Sequence, residues 1–204
     1  MSKIFTAFLA LITFSTTSIA YTGEVIKSFK TPGSYPTGLT FDGENIWVAD
    51  RGTDKIYCIN PETGTVVREI ESPAYWPTGL AWDGKYLWGA DYRGRTNIVE
   101  DYDGMIFKID PKDGTVLATL KAPSSSPKGL TWDGKYLWCV DDRTDMVIQF
   151  NPHDGTTINS FLSPAKDPKG ITFDGKYLWI SDETLNEIYM VDPENGLVIV
   201  ILDG

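Results

Sequence analysis

PKGITFDGKYLWISD, residues 168–182, is one of four nearly identical stretches in this chain. PTGLTFDGENIWVAD starts at Pro36, PTGLAWDGKYLWGAD at Pro77 and PKGLTWDGKYLWCVD at Pro127. The starts lie 41, 50 and 41 residues apart, a period that belongs to repeat architectures and not to one globular core.

Each unit reads as four short strands. In the first, GLTF (Gly38 to Phe41) runs through Asp42-Gly43 into Ile46 to Asp50, and Asp-Gly between apolar runs is a two-residue hairpin signal. Lys55 to Ile59 follows, then the turn Asn60-Pro61-Glu62-Thr63-Gly64 leads into Thr65 to Glu71. That turn returns as DPKDG from Asp110, NPHDG from Asn151 and DPENG from Asp192. We name the four strands A to D in chain order. Pro and Gly sit in turns, and no segment carries the spacing of an amphipathic helix. Four antiparallel strands in about 41 residues form the blade of an all-β propeller, with A innermost and D outermost. The blades are read as 36–72, 77–122, 127–163 and 168–204, within a domain of residues 21–204.

The pattern P-x-G-(Leu/Ile)-x-(Phe/Trp)-D-G-x-x-(Leu/Ile)-W, followed by a turn-bounded strand pair, resembles the YVTN and NHL classes of β-propeller repeat. That resemblance implies the fold. For function it implies a class that includes protein-binding scaffolds, ligand binders and some lyases, lactonases and cyclotransferases.

Such propellers usually close with five to seven blades, which leaves four units and a remainder to explain. Residues 24–30, EVIKSFK, align with TVVREIE from Thr65 and read as an extra outer strand. Either four blades close and this strand is spare, or it belongs to a fifth blade whose other strands lie elsewhere. The last strand bears on the choice. Its middle, Val200 and Ile201 within LVIVIL, is apolar where the other units have Arg68 and Glu69, Ala118 and Thr119, and Asn159 and Ser160. An apolar edge invites pairing, so it is covered by a second chain, by sequence outside this one, or by the N-terminal strand. A homo-oligomer through the first or last outer strand is one form of this expectation.

Residues 1–20 read as a secretory signal peptide: Lys3, an apolar run from Ile4 to Phe14, and Ser18-Ile19-Ala20 as cleavage site. Cleavage removes Lys3 and no acid, taking the formal charge from −10 to −11. The expected destination is the periplasm or the extracellular space, with no membrane span in the mature chain. So acidic a protein is repelled by phosphate backbones, which argues against nucleic acid as a partner. Cys58 and Cys139 fall at different places in non-adjacent units and read as separate buried thiols.

Residues that recur in every blade are needed by every blade. Trp47, Trp88, Trp138 and Trp179, with Phe41, Trp82, Trp132 and Phe173, read as inter-blade packing. Asp50, Asp91, Asp141 and Asp182 close each B strand. They could ring one mouth of the channel and hold Ca²⁺ or Mg²⁺, or each could cap its own B–C turn. His153, the single histidine, lies in a C–D turn, so no Ser-His-Asp triad or histidine base is expected.

What occurs once is the long B–C connection of the second unit, YRGRTNIVEDYDGM, residues 92–105. With Tyr35, Tyr75 and Trp76 on the same face, its Tyr92, Arg93, Arg95, Glu100, Asp101 and Tyr102 form a candidate ligand patch. EDYDG faintly suggests a Ca²⁺ loop but lacks the spacing of an EF-hand. The expected function is non-enzymatic binding of a protein, peptide or glycan. One alternative is a carboxylate- or metal-dependent lactonase, lyase or cyclotransferase at the Asp-ringed mouth. Another is a partial propeller without activity of its own.

Overall fold

The computed structural model describes residues 25–92 and 104–203. The signal-peptide reading, and Arg93, Arg95, Glu100, Asp101 and Tyr102 of the candidate patch, lie outside the described residues.

Among the described residues, sixteen strands form four antiparallel four-stranded sheets, arranged as a β-propeller. The first blade is β1 Pro36–Phe41, β2 Ile46–Asp50, β3 Lys55–Ile59 and β4 Val66–Glu71. The second is β5 Pro77–Trp82, β6 Leu87–Asp91, β7 Met105–Ile109 and β8 Val116–Lys121. The third is β9 Pro127–Trp132, β10 Leu137–Asp141, β11 Met146–Phe150 and β12 Thr157–Leu162. The fourth is β13 Pro168–Phe173, β14 Leu178–Asp182, β15 Glu187–Val191 and β16 Val198–Asp203. No described helix is long and apolar enough to cross a membrane.

The A–B hairpin departs from the two-residue turn that Asp-Gly suggests. Phe41 pairs with Ile46, so four residues, Asp42 to Asn45, connect the strands. The reason is the Asp42 side chain. Its Oδ1 accepts the N–H groups of Glu44 and Asn45, and its Oδ2 accepts the Trp47 indole N–H at 2.7 Å. Gly43 supplies the positive φ, 100°, that the turn requires. The same Asp-to-indole bond recurs at Trp88, Trp138 and Trp179. Thus one recurring Asp shapes the turn and orients the packing indole.

The inner strands pack in series, β1 on β5, β5 on β9, β9 on β13. Glycine makes this approach possible: a Cβ on Gly38, Gly79 or Gly129 would run into the backbone of the next inner strand. Between blades lie three apolar layers. The first joins Trp47, Ala49 and Ile56 to Leu80, Leu87 and Ile109. The second joins Trp88, Ala90 and Ile106 to Leu130, Leu137 and Phe150, and the third joins Trp138, Val140 and Val147 to Ile171, Leu178 and Ile180. Fully burying an aliphatic or aromatic side chain of this size stabilises by roughly 1.5–3 kcal/mol.

The series does not continue from the fourth blade to the first. Gly170, the inner glycine of β13, meets only Ser181 of its own blade. Leu39 of the first blade is 67 % exposed, whereas Leu80 and Leu130 at the same place are 2 % and 3 %. The packing expected of all eight recurrent aromatics therefore fails at the two ends: Phe41 is exposed and Trp179 only half-buried, because neither has a neighbouring blade against it.

Residues Val25 to Lys30 belong to none of the four sheets, so the extra outer strand read at 24–30 is not formed as a strand among the described residues. Among the described residues no C strand lies beside it to complete its hydrogen bonds. The apolar β16 pairs with β15 alone, and Leu197 to Leu202 remain exposed. The N-terminal segment does not cover β16; its Lys27 bonds to Glu62 of the first blade. Cys58 and Cys139 are free, buried thiols.

Candidate functional site

Each blade builds the same rim element from one fixed residue and three variable ones. The fixed residue is the aspartate that ends strand B. Its Oδ2 accepts the backbone N–H of the residue fifteen positions earlier, just before the blade's Pro: Tyr35 to Asp50 at 2.8 Å, Trp76 to Asp91 at 2.8 Å, Ser126 to Asp141 at 2.7 Å and Asp167 to Asp182 at 2.7 Å. In blades one, three and four Oδ1 turns the other way, into the B–C turn. For Asp50 it accepts the N–H groups of Gly52 and Thr53 and the Thr53 hydroxyl, and for Asp141 those of Arg143 and Thr144 and the Thr144 hydroxyl. In the fourth blade it accepts the Leu185 N–H.

These aspartates are buried, and their oxygens are directed at backbone donors. Among the described residues no group of three or more His, Cys, Asp or Glu side chains is placed to hold a metal ion. Burial works to raise the Asp141 pKa, but the Ser124 hydroxyl and the hydrogen bonds from Ser126 and Thr144 hold it below the usual carboxylate range.

The variable residues are those before and after the Pro and the one following the Asp. In blade one they are Tyr35, Thr37 and Arg51; in blade two, Trp76, Thr78 and Tyr92. Blade three supplies Ser126, Lys128 and Asp142, and blade four Asp167, Lys169 and Glu183. All except Tyr35 and Asp167 line an open basin of about 890 Å³ at the face carrying the D–A and B–C loops.

The basin has two unlike halves. Over blades one and two, the Arg51 guanidinium carbon lies 5.3 Å from the ring centres of both Tyr35 and Trp76. Trp76 stands 6.3 Å from Tyr92, and Lys128 Nζ lies 4.7 Å above the Tyr92 ring. Arg51 thus lies between two rings and Lys128 covers a third, each cation within cation–π range. Tyr35, Tyr75 and Trp76 are exposed, Trp76 at 39 %.

Over blades three and four the wall is ionic. Asp142 accepts the Ser126 hydroxyl at 2.6 Å and Lys169 Nζ at 2.7 Å, with Lys128 Nζ at 3.3 Å. Lys169 also reaches Asp167 at 2.7 Å and Glu183 at 3.4 Å. Burial acts to raise Asp142, but the bonds from Lys169 and Ser126 and the Lys128 charge hold its pKa down. Burial acts to lower Lys169, but Asp142 and Asp167 raise it on balance. Thr37 and Thr78 instead donate to Pro77 and Pro127 carbonyls of the next blade at 2.7 and 2.8 Å.

Of the residues expected at this face, Tyr35, Trp76 and Tyr92 come together, and Tyr75 is exposed beside them. The spacing alone does not single out Arg51 and Asp142. Aligning the four units would have found them, since the position after the fixed Asp reads Arg, Tyr, Asp, Glu. His153 lies in its C–D turn, exposed.

The sequence matches no protein-family model and no curated protein. Solved structures match its fold. A glutaminyl cyclase from Myxococcus xanthus superposes with a TM-score of 0.70 at 15 % identity, over 84 % of this chain and 71 % of that one. The propeller in a nidogen–laminin complex gives 0.65 at 20 %, over 86 % and 66 %. A virginiamycin B lyase from Staphylococcus aureus gives 0.55 at 22 %, over 87 % and 58 %. The chain therefore spans between 58 % and 71 % of the lengths of these structures. The class is β-propeller, a fold shared here by enzymes and by a protein-binding scaffold.

Proposed function

We propose that the chain is an exported binding module whose basin takes a segment of a peptide or protein. The observation that carries this reading is the division of labour at the rim: the recurrent aspartates are occupied in holding the backbone, while among the variable residues Tyr35, Arg51, Trp76, Tyr92 and Lys128 form a ladder of rings and cations beside an ionic wall. Trp76 and Tyr92 supply contact area for an apolar or aromatic side chain, and Tyr35 backs the Arg51 guanidinium at the edge of the basin. Arg51 offers a planar donor set to a carboxylate, and the Lys169 network offers both signs of charge to a polar backbone or side chain. The likeness of the repeat to YVTN and NHL propellers, which include protein-binding scaffolds, agrees with it.

The test is selection from a random peptide library on immobilised chain, followed by titration of the enriched peptides. Replacing Arg51 and Trp76 together by Ala leaves all four aspartate clamps in place. It weakens binding at least about tenfold, or ~1.4 kcal/mol. Enriched peptides that bind the double variant as well as the parent contradict the proposal.

A further inference from the structure

The three built seams between blades share a device on their outer rim. The apolar residue at the fifth position of each outer strand lies over the glycine of the next blade's C–D turn: Ile70 over Gly114, Leu120 over Gly155, Phe161 over Gly196. Two residues earlier a side chain donates to a carbonyl of that turn where it has a donor. Arg68 Nη1 reaches Pro111 O at 2.9 Å, and Asn159 Nδ2 reaches Pro193 O at 3.0 Å. Ala118 has none to offer.

Gly64 is the corresponding turn glycine of the first blade, and no described blade precedes it. Its seat is nevertheless filled. The Phe29 ring lies so close that a Cβ on Gly64 would collide with it, and Lys27, two residues earlier, donates through Nζ to the Glu62 carbonyl. In the sequence, Phe29 and Lys27 align with Ile70 and Arg68. Residues 25–30 thus hold the place of an outer strand whose three inner strands are not among the described residues.

The walls of the gap agree with this. On the side of the fourth blade, Ile188 is 43 % exposed where Ile56 and Ile106 are 1 % and 0 %, and Trp179 is half-buried where Trp47 is fully buried. On the side of the first blade, Leu39 and Phe41 are exposed, while Val48, Tyr57 and Ile59 on the same face are buried, so the open part of this wall is its inner strand.

We propose that Val25 to Lys30 are the outer strand of a composite fifth blade, and that the gap between blades four and one is the docking site for a three-stranded antiparallel segment of this repeat type. The segment pairs its third strand with residues 25–30 and buries Trp179 and Ile188 on one face, Leu39 and Phe41 on the other. A second copy of the chain fits less well, since its fourth blade brings its own outer strand, whose Leu202 would compete with Phe29 for Gly64. Continuity with the three existing seams defines the partner's chemistry: an inner glycine, a D-G turn and an L-W pair.

The test is co-expression of the full chain with a segment copied from its own residues 167–191. In the fourth blade Tyr189 pairs with Ile201, the position that aligns with Ser28. The segment is expected to copurify with the chain, and a cysteine at its Tyr189 position to form a disulfide with Ser28→Cys but not with Thr119→Cys, whose strand is already paired. If the segment is insoluble alone, joining it after Gly204 through a flexible linker is expected to raise the melting temperature and to lower binding of a hydrophobic dye to the level that the exposed β16 alone sustains. Absence of both complex and stabilisation overturns the proposal. So does a complex that cross-links equally at Thr119→Cys, or a chain that runs alone as a dimer dissociated by Ile188→Asp.

Discussion

Replacing Asp141 separates a structural clamp from a metal ligand. Asp141 is 0 % exposed; one oxygen accepts the Ser126 N–H, and the other accepts two turn amides and the Thr144 hydroxyl. A hydrogen bond to a charged acceptor contributes about 1.5–3 kcal/mol, and a buried donor left without a partner costs about 1–3 kcal/mol. The Ser126 amide stays buried after truncation, while Arg143 and Thr144 are exposed and their amides can turn to water. Asp141→Ala is therefore expected to lose about 3–5 kcal/mol, a large share of the ~5–15 kcal/mol typical of a domain. Asp141→Asn keeps one acceptor and loses about 2 kcal/mol. Urea unfolding at neutral pH, with chelator and with added Ca²⁺, measures both. Equal losses in the two buffers are the prediction. A loss below about 1 kcal/mol in chelator, or one that appears only with Ca²⁺, refutes the clamp.

Four other outcomes follow from the same geometry. Gly129→Ala places a Cβ 2.7 Å from the Ile171 amide nitrogen and is expected to destabilise strongly, whereas Gly170→Ala meets only a movable Ser181 hydroxyl and costs little; paired thermal melts decide. Because the folded state lowers the Asp142 pKa, its contribution is present above the unfolded value of 3.8 and is lost as pH falls through the folded pKa, so Asp142→Asn flattens part of the acid limb in a stability–pH profile. Phe150→Ala empties a fully buried site in the second layer and should cost about 3–5 kcal/mol by denaturant titration. Burial pushes the Cys139 thiol up to about 12, so a thiol reagent at neutral pH should miss it in the native chain and reach it on unfolding.

Much of the fold was legible because the repeat wrote it four times. The B and C strands of the first blade, Ile46 to Asp50 and Lys55 to Ile59, run as the alternation and turns predict. The Asp-Gly turn was longer than its dipeptide suggests, since Asp42 also serves the Trp47 indole five residues on. The site was only half legible. Tyr35 and Trp76 stand out as exposed aromatics before Pro, but Arg51 joins them through the rotation of one blade against the next, which local sequence does not carry. The same holds for Asp142, whose two lysines come from its own blade and from the fourth. The missing packing of Phe41 and Trp179 was invisible for a similar reason: both match the repeat, and only their place at the ends of the series exposes them.

The central claim, that binding occurs at the basin over blades one to four, is tested most directly by following indole N–H resonances while a selected peptide is added. Trp76, assigned through Trp76→Phe, is exposed at the basin, whereas Trp47, Trp88 and Trp138 are buried with their indoles bonded to Asp42, Asp83 and Asp133. A shift of the Trp76 resonance with the buried three unmoved is the predicted result. An unmoved Trp76 at saturating peptide contradicts the account.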